Sequence, residues 1–232
     1  MSKPHGHSID DYLEAIYFLA SPIGGEQPAK APTAIAARVA DLLGVSRTAV
    51  GEMLKRLMAD GLLESGTGRE LVLTAAGAER AERVVRRNRI VERFLTDFLG
   101  YGVAEAHDHA GRLGAALTDD MVERLHERLG FPDRCPHGWP VAPAQERAES
   151  PELVSLADLD EGDAGEIVRL TEHDGGLLTW FYAEGFTPGA RVRVRDIQPA
   201  AGHRKVDMGG DGEHFIADRA ARGLFVRREP RR

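Results

Sequence analysis

The amino-acid sequence predicts a mainly α-helical protein with a small β component: a winged helix-turn-helix, a helical domain and a small C-terminal β-barrel. Three observations predict this class. Two short amphipathic helices separated by a tight turn precede a hairpin pattern within the first 74 residues. Helical periodicity then continues to about residue 130. After residue 150, segments that alternate in polarity or are β-branched replace it.

The first region is divided by residues that start and end helices. Ser8 followed by Asp11 is typical of a helix start with reciprocal capping. The segment TAIAARVADLLG predicts a short helix that ends at Gly44, and Ser46 starts a second helix that ends at Gly61. LLESG and VLT follow as two short strands. Helix, short helix, turn, helix and hairpin is the order of a winged helix.

The remaining chain separates into a helical part and a β part. Thr74 caps a long helix, a second helix begins near Val103, and a third runs from Asp119 to Leu129. The proline-rich FPDRCPHGWPVAPAQ is predicted as connecting chain. EIVRL, ARVRVRDI, HRKVDMGG and GLFVRR are the predicted barrel strands, with a short helix in GLLTWFYAEGF. The predicted domains are 1–74 (winged helix), 75–140 (helical), 141–150 (linker) and 151–232 (barrel).

Composition bounds the function classes. The hydrophobic content of 42% and the charged content of 29% are those of a globular protein. A single cysteine, Cys135, excludes an internal disulfide framework. No apolar run is long enough to span a bilayer and the N-terminus lacks a signal-peptide core, so we expect a cytoplasmic protein without a membrane partner. A net charge of −7 argues against non-specific coating of nucleic acid, but not against a specific docking face.

In this order the segments resemble the diphtheria toxin repressor family of metal-dependent transcription regulators, which includes iron- and manganese-responsive members. The segments that carry the resemblance are DDYLEAIYFL (first helix), TAIAARVADLLGVSRTAVGEMLKRLMADGLL with LVLTAAG (winged helix), RNRIVERFLTDFLG (hinge helix), CPHGWP (loop of the dimerisation domain), and LADLDEGDAGEIVRL with GFTPGARV (SH3-like domain). The resemblance implies a homodimer that binds a palindromic DNA operator, as a repressor, when a divalent cation such as Mn, Fe, Co or Zn orders the DNA-binding domain.

The predicted recognition helix directs its first turn toward the major groove of DNA. The residues expected at this end are Ser46, Arg47, Thr48, Gly51 and Glu52. Arg47 suits guanine or phosphate and Glu52 suits cytosine N4, whereas Arg38 and the wing-tip Arg69 suit phosphate. Residues 1–73 contain seven Lys or Arg and nine acids, so affinity should depend on a few placed contacts and on dimer bivalency.

The resemblance implies two metal sites, and the main one has lost most of its ligands in this sequence. Asp11 and Glu14 match acids on the first helix and lie one turn apart. The family's hinge-helix histidine corresponds to Asn88, and its ligands on the following helix correspond to Gly111, Gly114 and Ala115. The small residues of that helix either allow close helix packing or open a pocket for an organic effector, and the sequence leaves both readings open.

The second implied site keeps more of its ligands. Glu92 and His107 match the family pattern, and Asp174 is the expected third-domain carboxylate, with Glu172 and His173 nearby. His109 cannot share a helix face with His107, because two residues on a helix differ by roughly 200°. The alternative for this pair is structural: Glu92 pairs with a nearby arginine and His107 caps a helix.

Other function classes remain as alternatives. The same DNA-binding fold could act without metal, responding to an organic ligand or to none, and a winged helix could serve only as a protein-interaction module. The basic residues Arg38, Arg47 and Arg69 argue against the interaction module. A hydrolase or other enzyme built on Cys135, His137 and the histidines near residue 107 is disfavoured, because no arrangement of acid, base and nucleophile is visible. We therefore expect a regulator rather than an enzyme.

Overall fold

The computed structural model describes residues 7–20, 32–66, 71–171, 175–209 and 212–230. Their contacts divide them into two compact units, one ending at Arg86 and the other starting at Arg87. No helix in these ranges is both long and apolar enough to cross a membrane.

Three helices begin the first unit, and local capping explains where they start. Helix α1 spans Ile9–Ala20, α2 spans Pro32–Leu43 and α3 spans Arg47–Ala59. Asp11 Oδ2 accepts a hydrogen bond from the Ser8 amide at 2.7 Å, and Ser8 Oγ accepts one from the Asp11 amide at 3.2 Å. Ser46 Oγ accepts from the Ala49 amide at 3.1 Å. The predicted caps of α1 and α3 are confirmed, and so are the glycines that end α2 and α3.

A hairpin and the start of a long helix complete the first unit. Strand β1 spans Leu63–Ser65 and pairs antiparallel with β2, Leu71–Leu73. Helix α4, Ala75–Asp97, begins where Thr74 Oγ1 accepts from the Gly77 amide at 3.1 Å. The apolar faces of α1, α2, α3, the hairpin and the first turns of α4 share one core, whose deepest residues include Leu13, Val39, Val50, Leu57, Ala81 and Val85. This arrangement is a winged helix, as the sequence predicts.

Helix α4 continues into the second unit, where three helices precede the sheet. Helix α5 spans Val103–Ala115, α6 spans Asp119–Arg128 and α7 spans Pro143–Glu149. The last of these lies in the segment 141–150 that the sequence predicts as a linker. Its seven residues place Glu146 and Glu149 in buried positions, so this segment is packed structure. A helix of two turns between prolines has too few periodic positions to be recognised from sequence.

The second unit ends in a six-stranded antiparallel sheet. Its strands are β3 (Leu153–Ser155), β4 (Ala164–Leu170), β5 (Arg191–Gln198), β6 (His203–Asp207), β7 (Glu213–Ala217) and β8 (Leu224–Arg228), in the order β3-β8-β4-β5-β6-β7. Helix α8, Gly175–Ala183, lies between β4 and β5, and the four-residue α9, Asp218–Ala221, lies between β7 and β8. The predicted strands and α8 are confirmed. Strands β3 and β7 were not predicted: β3 has only three residues, and β7, EHFIA, has a single fully buried position, Ile216.

Candidate metal centre and nucleic-acid interface

The second unit brings three potential metal ligands together from three separate elements. Glu92 lies on α4, His107 on α5, and His137 in the loop that follows α6. His107 Nδ1 lies 2.8 Å from Glu92 Oε1, and His137 Nδ1 lies 3.3 Å from Glu92 Oε2. The two imidazole rings meet edge to face with centroids 5.6 Å apart. One carboxylate is therefore held between two imidazoles.

Because Glu92 is buried, the pKa of its carboxylate depends on the charged and polar groups beside it. Glu92 and His137 are buried, whereas the His107 side chain is about a quarter exposed at 26%. Burial by itself would raise the pKa of Glu92, but the adjacent His137 and His107 outweigh it and hold that pKa well below the usual range. Glu92 is thus an anion inside the protein, which is the state in which a carboxylate binds a cation.

The loop that carries His137 is fixed by bonds to the sheet and to α8. The His137 carbonyl accepts from the Leu170 amide at 2.9 Å, and the Trp139 indole donates to the Leu170 carbonyl at 2.7 Å. The Tyr182 hydroxyl donates to the Pro136 carbonyl at 2.5 Å. Burial is the main cause, with the nearby Cys135, that raises the pKa of Tyr182 to about 12, so the hydroxyl remains protonated and acts as a donor. His137 is held in place from both sides.

Two buried arginines further lock this loop. The guanidiniums of Arg89 and Arg169 lie 5.3 and 5.0 Å from the centroid of the Trp139 ring. Arg89 pairs with Glu146 at 2.7 Å, and Arg169 pairs with Glu149 at 2.7 Å. These contacts join α4, α7 and β4 around the loop, so the ligand-bearing segments form a preorganised frame.

The donor set fits a divalent transition metal. One ligand atom from each of Glu92, His107 and His137 lies within 4.8 Å of the other two. Ligands bonded to one Zn²⁺ at about 2.0–2.1 Å lie no more than about 4.2 Å apart, so these three atoms are near the spacing that a shared ion needs, and a tetrahedral site would take a fourth ligand. Imidazole nitrogen suits Zn, Fe, Co and related ions, and carboxylate oxygen is compatible with each of them. Cys135 Sγ, 3.7 Å from His137 Nδ1, places a thiol beside the cluster.

Sequence reasoning identified part of this cluster and missed one member. Glu92 and His107 are brought together, and the alternative pairing of Glu92 with an arginine is replaced by the two histidines. Asp174, with Glu172 and His173, lies outside the described residues. His137 was set aside in the sequence as part of a structural loop. The sequence signal that could have identified His137 was its place in CPHGWP, one of the segments that carry the resemblance.

The positions of the implied main site carry different residues with different roles. Asp11 caps α1, and Glu14 is half-buried on the same helix. In the second unit, Asn88 and Gly114 do lie together: a Cβ added at Gly114 would be 2.9 Å from Asn88 Oδ1 and 3.2 Å from Arg87 Nε. At Gly114 the small residue therefore allows close helix packing, which leaves no room for an effector pocket at that point.

The predicted DNA-contacting residues lie on one exposed end of α3. Ser46, Arg47, Thr48 and Glu52 are exposed, and Gly51 is partly buried with open space where a Cβ would be. Arg38, on α2, is partly exposed. Arg69 lies outside the described residues. The exposed Arg47 guanidinium is a hydrogen-bond donor of the kind that binds phosphate and base edges.

A winged helix linked to a helical segment with a buried carboxylate–imidazole cluster defines the class of metal-responsive transcription regulators. The chain belongs to the diphtheria toxin repressor family of iron-dependent repressors. Residues 74–142 match the family model described as the iron dependent repressor metal binding and dimerisation domain, and residues 154–228 match the FeoA domain.

Individual relatives span nearly the whole chain. The chain is 33% identical over 223 residues to the iron-dependent repressor IdeR of Mycobacterium tuberculosis, covering 88% of this chain and 94% of the relative. Among solved structures, a manganese-dependent transcriptional repressor in complex with manganese is similar with a TM-score of 0.82 at 29% identity, covering 94% of this chain and 99% of that one. ScaR with bound Zn²⁺ is similar with a TM-score of 0.76 at 27% identity, covering 95% and 99%. By name, the first of these relatives is an iron-dependent repressor and the second a manganese-dependent transcriptional repressor.

Proposed function

We propose that this protein is a homodimeric, sequence-specific DNA-binding transcriptional repressor whose affinity for its operator is raised by a divalent cation. The observation that carries the proposal is the buried Glu92 between His107 and His137, on the same helix, α4, that begins in the winged-helix unit. The names of its relatives support the same role. Mn, Fe, Co and Zn are the candidate ions.

The DNA interface assigned here is the exposed start of α3. Arg47 and Glu52 supply base or phosphate contacts, and Ser46, Thr48 and Gly51 bring the helix end close to the backbone. Arg38 and Arg69 add phosphate contacts at the flanks. The formal charge of −7 for the whole chain means that placed contacts, rather than bulk attraction, must supply the affinity.

The dimer interface assigned here lies in the helical segment 75–140. Seven large hydrophobic side chains are exposed in the described part of the chain, and five of them fall between residues 98 and 131: Phe98, Leu99, Tyr101, Met121 and Phe131. These five residues are close in sequence, and exposed apolar side chains that gather on one surface are typical of an interaction site. A second copy of the chain fits it, because residues 74–142 match a model described as a dimerisation domain.

Metal would bind through Glu92, His107 and His137, with Asp174 as a further candidate ligand. Because imidazole and carboxylate groups must be deprotonated to bind an ion, metal binding should weaken at acidic pH. When bound, the cation supplies a charge that draws α4, α5 and the His137 loop together. The proposed domains are 1–74 for DNA, 75–140 for dimerisation and metal, 141–150 as the connection, and 151–232 as the SH3-like domain.

Selection of DNA sites tests the function directly. Purified protein would be used to select fragments from a random duplex library in the presence of Mn²⁺ or Zn²⁺, and the affinity for the enriched sequence would be measured by fluorescence anisotropy. We expect enrichment of a palindrome, since a two-fold dimer reads two half-sites. Recovery of no preferred sequence under any ion would contradict the proposal.

A further inference from the structure

The face of α5 around Gly114 has little space for a metal-binding side chain. Gly114 is buried, and three atoms surround the point where its Cβ would lie: Asn88 Oδ1 at 2.9 Å, Arg87 Nε at 3.2 Å and Arg87 Cγ at 3.4 Å. The first two distances are shorter than ordinary contacts of a Cβ. The space that a ligand side chain at residue 114 would need is therefore already occupied.

The positive charge of Arg87 also disfavours a cation at this face of α5. Arg87 brings a guanidinium to this face, and its Nε is one of the atoms packed against Gly114. A dication placed here would face a fixed cation at short range, where the repulsion is strong because the surroundings are partly buried. The remaining positions on α5, Gly111 and Ala115, offer no side-chain donor.

We infer that Arg87, packed with Asn88 against Gly114, takes the place of the family's main metal, and that the Glu92 cluster is the only cation site among the described residues. The second clause rests on the proposed function. Both clauses predict that no ion is retained when the Glu92 cluster is removed. They differ in the wild type, where only the second clause requires a bound ion. A chain with a single site should bind its ion in one step, without coupling between two ions on the same chain.

The first experiment counts ions. Chelator-treated protein would be loaded with excess Zn²⁺ or Mn²⁺, passed through gel filtration, and analysed for metal per chain by plasma mass spectrometry. We expect one ion in the wild type and none in the double variant Glu92→Gln with His107→Ala. A stoichiometric ion retained by the double variant would overturn the inference. A wild type that retains none would sink the proposed metal response, and would still agree with a closed Gly114 face.

The second experiment tests the guanidinium itself. Asn88→His together with Gly114→Glu returns two ligands to the face, and this pair would be made with Arg87 retained and with Arg87→Ala. We expect an additional ion only in the Arg87→Ala background, because the glutamate otherwise pairs with Arg87. In the matched control, Arg83→Ala replaces Arg87→Ala beside Asn88→His and Gly114→Glu. Arg83 is an exposed residue of the same helix and pairs with Glu79 at 2.7 Å. An additional ion with Arg87 present, or none in either background, would contradict the role of Arg87.

Discussion

His137 Nδ1 lies 3.3 Å from Glu92 Oε2, although one residue belongs to a proline-rich loop and the other to the middle of a long helix. The contact is buried on both sides, so neither group exchanges its partner for water at low cost. Since His107 occupies the other carboxylate oxygen, Glu92 links α4 to α5 and to the loop at once. The metal response proposed here depends on this link.

The recognition helix provides the most direct test of DNA binding. We expect Arg47→Ala to weaken operator affinity by about 1–3 kcal/mol, roughly 5- to 150-fold, because an arginine at the start of the helix can make a bidentate base contact. Arg56→Ala is the matched control: Arg56 is exposed in the last turn of the same helix. Fluorescence anisotropy on the selected operator measures both. Equal losses in the two variants would remove the assigned role of the α3 N-terminus.

Self-association should depend on the exposed apolar residues at the end of α4. Phe98 is 63% exposed, and a two-fold interface would present it twice, so we expect Phe98→Glu to shift the protein to a monomer in light scattering after gel filtration. Phe215 is exposed to a similar extent, 61%, on strand β7. Phe215→Glu should leave the dimer intact. A wild type that is monomeric at all concentrations would contradict the interface.

Much of the fold of the first unit could be predicted from local sequence signals, whereas the complete cluster of Glu92, His107 and His137 could not. Ser8, Ser46 and Thr74 each cap a helix through contacts three residues away, and such contacts follow from sequence alone. The pairing of Glu92 with His107 followed from resemblance. The arrival of His137 at Glu92 depends on a loop held by Leu170 and Trp139, and no periodic pattern encodes that packing.

The buried ionic network should make stability depend on acid pH. Burial alone would raise the pKa of Glu149, but hydrogen bonds from Arg134 and Arg169 outweigh it and lower the pKa from 4.5 to about 2. Because the folded-state pKa is depressed, the ionised carboxylate stabilises the fold above its ordinary pKa, and this stabilisation is lost as the pH falls toward about 2. Glu149→Gln should therefore cost most near neutral pH.

Urea unfolding between about pH 7 and pH 3 measures this dependence. The difference in unfolding free energy between wild type and Glu149→Gln should shrink on acidification. Glu127→Gln, at an exposed position on α6, should show a small difference at every pH. Parallel curves for wild type and Glu149→Gln would show that the carboxylate does not contribute in its ionised form.

Two glycines on helices of the first unit should respond in opposite directions to alanine. A Cβ at Gly77 would lie 1.9 Å from the Leu62 carbonyl oxygen, so we expect Gly77→Ala to lower the free energy of unfolding by about 1–3 kcal/mol or more. At Gly51 nothing lies within 4 Å of the added Cβ. Gly51→Ala should raise stability by up to about 1 kcal/mol through helix propensity. Thermal or urea unfolding compares the two, and a tolerated Gly77→Ala would contradict the close approach of the Leu62 backbone, just before β1, to α4.

The central claim is that a cation held by Glu92, His107 and His137 controls DNA binding, and a metal titration of operator affinity tests it most directly. Chelator-treated protein would be titrated with Mn²⁺, Fe²⁺, Co²⁺ and Zn²⁺ while anisotropy reports its affinity for the selected operator. The compared chains are wild type, His137→Ala and His109→Ala, the last a histidine of α5 that contacts Arg112 instead of the cluster. We expect at least one ion to raise the affinity of the wild type and of His109→Ala, and to leave His137→Ala unresponsive. Tight binding by the metal-free wild type that no ion alters, or a full response in His137→Ala, would contradict the account.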